Sequence, residues 1–533
     1  MNLDISTLPE DTAALKDVII FLADSHTDLE KKHQASQDKI INLEERIRLL
    51  QNELFGRKSE KQIHPEKDPR QLYLFDEPEL PEPETAETIT VPAHTRKKQG
   101  RKPLPKDLPR IDVIHDIDES EKVCACGCRL TKIDEETSEK LDIIPAKMQV
   151  IRHIRYKYAC KNCEGVEDEG PTVKIGPLPI QFIPKGIATP GLVAQILVSK
   201  YEDALPFYRQ EKIFARLGVD IPRSSMCGWS IKAAEHCQPI LEILHQKILS
   251  GPLINIDETP VQVMQEPGRS NTSKSYMWVF RGGPPDKPVL VFQYHPTRSG
   301  RVPNEFLKEY QGYIQTDAYS GYDALGRRPG IYPVGCWAHV RRKFMEVVKA
   351  GSGKGKKGHA ETVLERIGLL YGVEKEARKN GLDPEQIVLL RREKSKPVLD
   401  DLKVRLNALQ SQTPPKGLLG KAVNYTLKNW PLLVRYLENG NITPDNNAAE
   451  NAIRPFVVGR KNWLFSGHPS GARASSCLYS LIETAKACGL KPYEYLRYLF
   501  DNIPFAKSEA DYEALLPHNL TTDQITAYTF RCA

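Results

Sequence analysis

Residues 252–263 read PLINIDETPVQV, and this stretch decides the fold. Apolar residues crowd its first half and alternate with polar ones in its second, the pattern of a strand. Asp257 stands at its centre, a charge where an apolar strand run normally excludes one. SYMWVFRGG at 275–283 and KPVLVFQYHPTRS at 287–299 read as two further strands. Gly and Pro separate the three, as antiparallel hairpins require. A fourth short strand, YIQTDAYSGY at 313–322, ends on a second acid, Asp317. GIYPVGCWAHVRRKFMEVVKA at 330–350 reads as a strand leading into a basic helix.

Three antiparallel strands, then a strand and helix on the other side, predict an α/β core like that of ribonuclease H. Two carboxylates on neighbouring strands of such a sheet can converge on a hard cation. Magnesium takes oxygen ligands and keeps several waters, so few carboxylates suffice. A third acid is expected from a helix crossing the same sheet edge. Glu450, in TPDNNAAENAIRPFVVGRKNWLFSG at 443–467, is the candidate, with Asp445 as a cap of that helix. Two ions about 4 Å apart can activate an attacking oxygen and stabilise the leaving one at a phosphodiester. Arg454, Arg460 and Lys461 follow and are expected to contact DNA phosphates. Singly, each acid also reads as a turn, cap or exposed helix residue. Only the three together, in this strand order, point to phosphoryl transfer. Trp463 reads either as a base-stacking residue or as core, and His339 either as a group near the metals or as a structural histidine.

Outward from the core, Glu450 lies 133 positions after Asp317, too many for one loop. Residues 347–440 have helical composition, as in ETVLERIGLLYGVEKEAR and PVLDDLKVRLNALQ, and predict a helical insertion entered by a basic loop, GSGKGKKGH. On the N-terminal side, 186–248 read as helices. A turn at Gly218 leads to a helix beginning Arg223-Ser224-Ser225, with Ser224 or Ser225 as its cap. Helix, short turn and capped helix is the shape of a helix-turn-helix, so these three residues are candidate DNA contacts; a plain helical connector is the alternative.

Residues 111–185 hold Cys124, Cys126, Cys128, Cys160 and Cys163. Cys160-x-x-Cys163 is one knuckle of a tetrahedral zinc site. Upstream, CACGC offers three thiols for two places, so four of these five are expected to bind structural zinc, with free or redox thiols as the alternative. Residues 57–110 carry nine prolines and turn from acidic to basic, ending in TRKKQGRKPLPK, and read as a linker. In 1–56, Leu15, Ile19, Leu22, Leu29, Ile40, Leu43, Ile47, Leu50 and Leu54 share one heptad register, with His26, His33 and Ser36 in the same seam. That pattern predicts a coiled coil, with a helix packed on its own domain as the alternative.

The 533 residues are a prior for three or four domains at roughly 150 each. At 40% hydrophobic and 27% charged the chain can bury a large core, which excludes global disorder. No run approaches about 18 apolar residues, so no membrane span is expected. The N-terminus lacks the build of a signal peptide, and clustered cysteines without a disulfide framework place the chain in a reducing cytoplasm. The net charge of +6 says little by itself, because acidic and basic runs offset one another.

The chain resembles the DDE transposases of the insertion sequence 66 family over almost its whole length. LQNELFGRKSEK at 50–61 is similar to the segment that follows the family's coiled coil, and VIRHIRYKYACKNCE at 150–164 to its zinc-finger-like module. NIDETPVQV, IQTDAYSGYDAL and NNAAENAIRPFVVGRKNWLFSGHPSGARAS resemble the family's three catalytic blocks. GCWAHVRRKF resembles the block after the second Asp, and GLKPYEYLRYLF the small C-terminal domain. The resemblance implies a catalytic triad of Asp257, Asp317 and Glu450 holding Mg²⁺ or Mn²⁺. It implies cleavage and strand transfer at the ends of an insertion sequence, with terminal repeats and target DNA as partners. A dimer or higher oligomer and accessory proteins of the same element are implied too. Val457 stands where some related groups carry a Lys or Arg seven residues after the Glu. A nuclease that only cuts and a catalytically inactive DNA-binding regulator are the rival functions.

The expected organisation is a coiled coil at 1–56, a linker at 57–110, a zinc-finger-like module at 111–185 and a helix-turn-helix at 186–248. The catalytic core follows at 249–346 and 441–487, split by the insertion at 347–440. A small C-terminal domain at 488–533 ends the chain.

Overall fold

A computed structural model describes residues 11–55, 148–159, 173–317, 319–351 and 358–531. The expected zinc ligands Cys124, Cys126, Cys128, Cys160 and Cys163, the linker and the centre of the basic loop at 352–357 lie outside the described residues. The chain divides into two units, 1–74 with 155–533, and 75–154. Of the second unit, 148–154 are described, as chain without helix or strand. The rest concerns the first unit.

Helix α1 spans Thr12–Phe55. A short antiparallel pair, β1 (Lys157–Ala159) and β2 (Val173–Ile175), is followed by helices α2 (Pro190–Tyr201), α3 (Phe207–Arg216), α4 (Arg223–His236) and α5 (Gln238–Leu249). The sheet comes next: β3 (Leu253–Val263), β4 (Lys274–Gly282), β5 (Val289–His295), helix α6 (Arg301–Phe306), β6 (Gly312–Gln315), helix α7 (Asp323–Gly326) and β7 (Ile331–Val334). Helices α8 (Trp337–Ala350), α9 (His359–Lys379), α10 (Pro384–Leu390), α11 (Lys396–Gln412), α12 (Leu418–Lys428) and α13 (Trp430–Leu433) follow. The chain returns through α14 (Asn447–Trp463), β8 (Phe465–Ser466), α15 (Pro469–Ala487), α16 (Pro492–Asn502), α17 (Glu509–Ala514) and α18 (Thr522–Arg531).

The main sheet is mixed, in the order β5-β4-β3-β6-β7, with β8 also on β3. β3, β4 and β5 run antiparallel, and β6 and β7 run parallel to β3. Central strands need apolar residues on both faces, and Ile254, Ile256, Val279, Phe280 and Ile314 are each at most 1% exposed. The outer strand β5 is covered by α15, whose buried hydroxyls replace a missing strand. Thr484 Oγ1 accepts from Leu290 N at 3.1 Å and Ser480 Oγ from Phe292 N at 2.8 Å. An edge closed this way cannot pair with another chain.

The helices of 186–248 share one continuous hydrophobic core with the sheet and with α14 to α16. α3 ends at Gly218, whose φ of +81° suits glycine, and Val219 N bonds back to Phe214 O. The expected Ser224 or Ser225 cap is corrected here. Both lie inside α4, which starts at Arg223, and no side chain of its cap residue Pro222 closes the end. Glu211 of α3 does so instead, accepting from Arg223 N at 3.0 Å.

Helices α8, α9, α11 and α12 enclose a second core. Val363, Ile367 and Leu370, and Leu399, Leu402, Leu406 and Leu409, recur at the three-and-four spacing that turns one helix stripe inward. α1 packs on α8, and Glu45 Oε2 accepts from Leu418 N at 3.0 Å, satisfying an orphan donor of α12. Ile19, Leu29, Ile40, Leu43, Ile47 and Leu50 of the heptad seam remain exposed.

Candidate active site

The parallel register pairs Asn255 with Gln315. Counting two residues along each chain sets Asp257 level with Asp317. Asp257 lies within β3, while Asp317 follows the end of β6. Glu450 lies in the first turn of α14, which crosses β3 and β4. The cap residue of α14 is Asn446, not the expected Asp445; Asp445 stands one residue earlier and its Oδ1 accepts from Asn447 N at 3.1 Å, in a turn that leads into the helix.

The Asp257 carboxyl feels the other acids. Burial first, then the charge of Glu258, pushes the Asp257 carboxyl up to about 7. The charges of Glu450 and Asp317 raise it further, and a backbone bond from Glu258 N to Asp257 Oδ1, 2.9 Å, works the other way. Like charges drawn to one place call for a cation. Asp317 Oδ1 accepts from Tyr319 N at 3.0 Å, and Arg298 Nη2 lies 3.8 Å from its Oδ2. Glu450 Oε1 is buried without a hydrogen-bond partner. Near Glu450 stand the cation Arg342, 3.6 Å from Oε2, and the imidazole of His339, whose Nδ1 is 3.8 Å from Oε1. Burial, then Arg342, pushes the His339 imidazole below its usual range, which favours its neutral form.

Three oxygen-donor side chains on adjoining elements suit a hard cation such as Mg²⁺. Cys336, His339 and Glu450 also lie within 4.8 Å of one another. That trio is a poor soft-metal site. Burial pushes the Cys336 thiol up to about 12, its sulfur already accepts from Asn446 N at 3.2 Å, and the thiolate is the ligand form.

Several groups here escape sequence reasoning. Glu258, 2% exposed in its side chain, receives Arg298 Nε at 2.6 Å on Oε1 and the Tyr322 hydroxyl on Oε2. The Arg298 guanidinium lies 3.8 Å over the Tyr319 ring, so a fixed cation stands beside Asp317. Only the adjacency of Glu258 to Asp257 hinted at this pair. Asn255, Gln315 and Asn446 are all at most 2% exposed, and Asn255 bonds both of the others. The repeated spacing of N-x-D and Q-x-D was the available signal.

The expected phosphate contacts are placed unequally. Arg454 and Lys461 are exposed on α14. Arg460 turns back onto β3 and donates to Thr259 Oγ1 at 2.8 Å and to Pro260 O. Arg223 and Ser224 are exposed and Ser225 is partly covered at the start of α4. Trp463 packs against Tyr201 and Tyr479 with Lys200 over its ring, which is a core role.

Comparison with known proteins bears on the whole chain. Residues 185–474 match the model described as "Transposase IS66 family". Residues 42–113 match "Transposase C of IS166 homeodomain", 121–164 match "zinc-finger binding domain of transposase IS66" and 480–518 match "IS66 C-terminal element". The chain is similar to "Uncharacterized protein y4jD" of Sinorhizobium fredii (strain NBRC 101917 / NGR234), 35% identical over 79% of this chain and 82% of that protein. It is also similar to "Uncharacterized protein y4qI" of the same strain, 29% identical over 98% of this chain and 100% of the relative. With the family model covering more than half its length and a relative aligned across most of it, the chain belongs to the IS66 family of transposases.

Proposed function

We propose that this transposase is a DDE enzyme that cleaves the ends of an insertion sequence and joins them to target DNA, with Asp257, Asp317 and Glu450 as its metal-holding triad. The observation that carries the proposal is the placement of the acids: the register of β3 and β6 sets Asp257 level with Asp317, α14 brings Glu450 across β3, and both neighbours raise the Asp257 carboxyl. The sheet order supports a ribonuclease H-like core, with three antiparallel strands continued by two parallel ones. A bound Mg²⁺ or Mn²⁺ supplies Lewis-acid activation of the attacking oxygen and stabilisation of the leaving one.

The chain's own residues then hold and orient. Asp257 and Asp317 offer carboxylates from adjoining strands, and Glu450 offers one from the helix. Arg298, locked by Glu258 and stacked on Tyr319, presents a cation where a phosphodiester oxygen would lie. Arg454, Lys461 and Arg342 extend the positive surface along DNA, a salt-sensitive contribution. Arg460 keeps its charge near the strand end, because both its acceptors are uncharged.

Pairing of two subunits would bring two element ends together. The exposed seam of α1 supports such pairing, because its apolar residues face outward while another edge of the helix meets α8 and α12. Structural zinc on four of the five clustered cysteines is supported by the match at 121–164, which spans them. The start of α4, at Arg223, Ser224 and Ser225, is the proposed reader of terminal-repeat DNA.

The test is cleavage and joining of the flanking terminal repeats by purified protein with Mg²⁺, wild type beside Asp257→Ala. The wild type is expected to cut and join. The variant is expected to bind the same DNA and lose both reactions by at least about a thousandfold, about 4 kcal/mol of barrier. Cutting without joining would replace the proposal with a nuclease. Unchanged biological effect in the variant would replace it with a DNA-binding regulator.

A further inference from the structure

Each acid of the triad has an amide a short step before it. Asn255 precedes Asp257 by two residues on β3, and Gln315 precedes Asp317 by two at the end of β6. Asn446 precedes Glu450 by four at the start of α14. Residues two apart on a strand face the same side, as Asn255 and Asp257 do on β3, while Gln315 closes β6 and Asn446 is the cap residue of α14. All three amides are buried, at 2%, 0% and 1% exposure.

They are joined to one another. Asn255 Nδ2 donates to Gln315 Oε1 at 2.9 Å and to Asn446 Oδ1 at 3.1 Å. Asn446 Nδ2 donates to Ile256 O at 2.9 Å, beside Asp257. Gln315 Nε2 donates to Thr443 O at 2.8 Å and to Gly335 O at 3.4 Å. The Asn446 backbone N donates to Cys336 Sγ, at the start of α8. An amide has distinct donor and acceptor ends, so these bonds fix which way each group points. A fully bonded buried network is rigid and specifies one arrangement of the segments that carry it. The segments here are the three that carry the acids.

We infer that Asn255, Gln315 and Asn446 are positioning residues that set the spacing of Asp257, Asp317 and Glu450 and so tune the site's affinity for a divalent cation. The inference rests on the triad reading. The bonds of the amides run to one another and to backbone, so their action on the site passes through the segments they tie. A metal site whose supporting bonds are lost typically weakens by about tenfold or more. Ligands displaced by even about 0.5 Å leave productive geometry.

The experiment counts Mn²⁺ bound to the full-length protein without DNA, by electron paramagnetic resonance, with a thermal melt of each variant. Asn446→Ala and Gln315→Leu are expected to raise the half-saturating Mn²⁺ concentration about tenfold or more. Ser480→Ala is the control, since it removes a buried bond in the same sheet that involves no acid-bearing segment. It is expected to lower the melting point and leave half-saturation within about twofold, below the roughly tenfold change typical of lost supporting bonds. Should Asn446→Ala fail to fold, Gln315→Leu, closer to the native volume, carries the test. A folded network variant with unchanged half-saturation overturns the inference, while Asp257→Ala still abolishing Mn²⁺ binding keeps the triad. Mn²⁺ binding that Asp257→Ala leaves intact overturns the triad and the inference with it.

Discussion

Two buried charge clusters in this molecule are built on opposite rules. In the helical insertion, Arg391 is 1% exposed and every direction of its guanidinium is used. It bonds Glu374 at 2.8 and 2.7 Å and the carbonyls of Tyr436, Asn439 and Ile442 at 2.6, 3.0 and 2.8 Å. On the inner strands β3 and β6 and the start of α14, acids stand near one another instead. Asp257 is raised to about 7 by burial and by other acids, and Glu450 Oε1 is buried without a partner. The first cluster is closed and holds helices together. The second is open: Arg298 and Arg342 stand at its rim, yet the Asp257 carboxyl stays raised and Glu450 Oε1 has no hydrogen-bond partner, as a binding site for a cation would show. The contrast separates structural from functional buried charge by bond accounting rather than by burial.

The largest effect should come from breaking the closed cluster. Arg391→Met strands Glu374 and three carbonyls in the interior. We expect a loss of about 3–5 kcal/mol in chemical denaturation, concentrated in the insertion. A loss below about 1 kcal/mol would show that the bonds around Arg391 are replaceable and would erase the contrast.

The open cluster should respond with the opposite sign. The Asp257 carboxyl is raised from 3.8 to about 7, so between those values the folded chain keeps a proton that the unfolded chain has released. Stability contributed by that proton is full below the lower value and is lost as pH rises through the upper one. In metal-free buffer at about pH 8, Asp257→Asn should therefore be more stable than wild type by about 2–4 kcal/mol. The advantage should fade as the pH falls toward about 4. Added Mg²⁺ should stabilise wild type and leave the variant nearly unchanged. Denaturant titrations at both pH values, with chelator and with Mg²⁺, measure this; equal stability at about pH 8 would mean that the acids are not in conflict.

The smallest effect concerns a charge of intermediate kind, Glu45, which reaches from α1 to Leu418 N of α12. Glu45→Ala should cost about 1 kcal/mol, the usual worth of a capping bond. Faster hydrogen exchange in the first turn of α12 reads it. Unchanged exchange would mean that α1 does not lean on the insertion in solution.

How much was legible follows the same division. Asp257 and Asp317 are readable because each breaks an apolar strand run. Glu450 is readable because its helix shows a period and follows the sheet in order. The insertion is readable because Val363, Ile367, Leu370 and the leucines of α11 keep a helical spacing. Arg391 is not readable. It stands beside Arg392 with the same local chemistry, and only the fold buries one of them. Ser480 and Thr484 look like ordinary small helix residues until β5 lies against them. The cap of α4 is set by tertiary packing for the same reason. Ser224 and Ser225 have the right chemistry but lie inside the helix, and Glu211 reaches over from α3 to accept from Arg223 N.

Strand and helix patterns, the three acids, the heptad seam and the cysteine pairs are local or periodic properties, and the chain specifies them by spacing alone. Partnership across 60 or 191 positions is a different matter, as between Asn255 and Gln315 or Asn446. A hydrogen bond acts over about 3 Å and carries no trace along the sequence. Only when β3, β6 and α14 pack does an amide acquire its acceptor, a guanidinium its carboxylate, or an acid its like-charged neighbour. The identities of the candidate groups are therefore written in the chain. Whether each would be neutralised, positioned or left in need of a cation was decided by the tertiary structure.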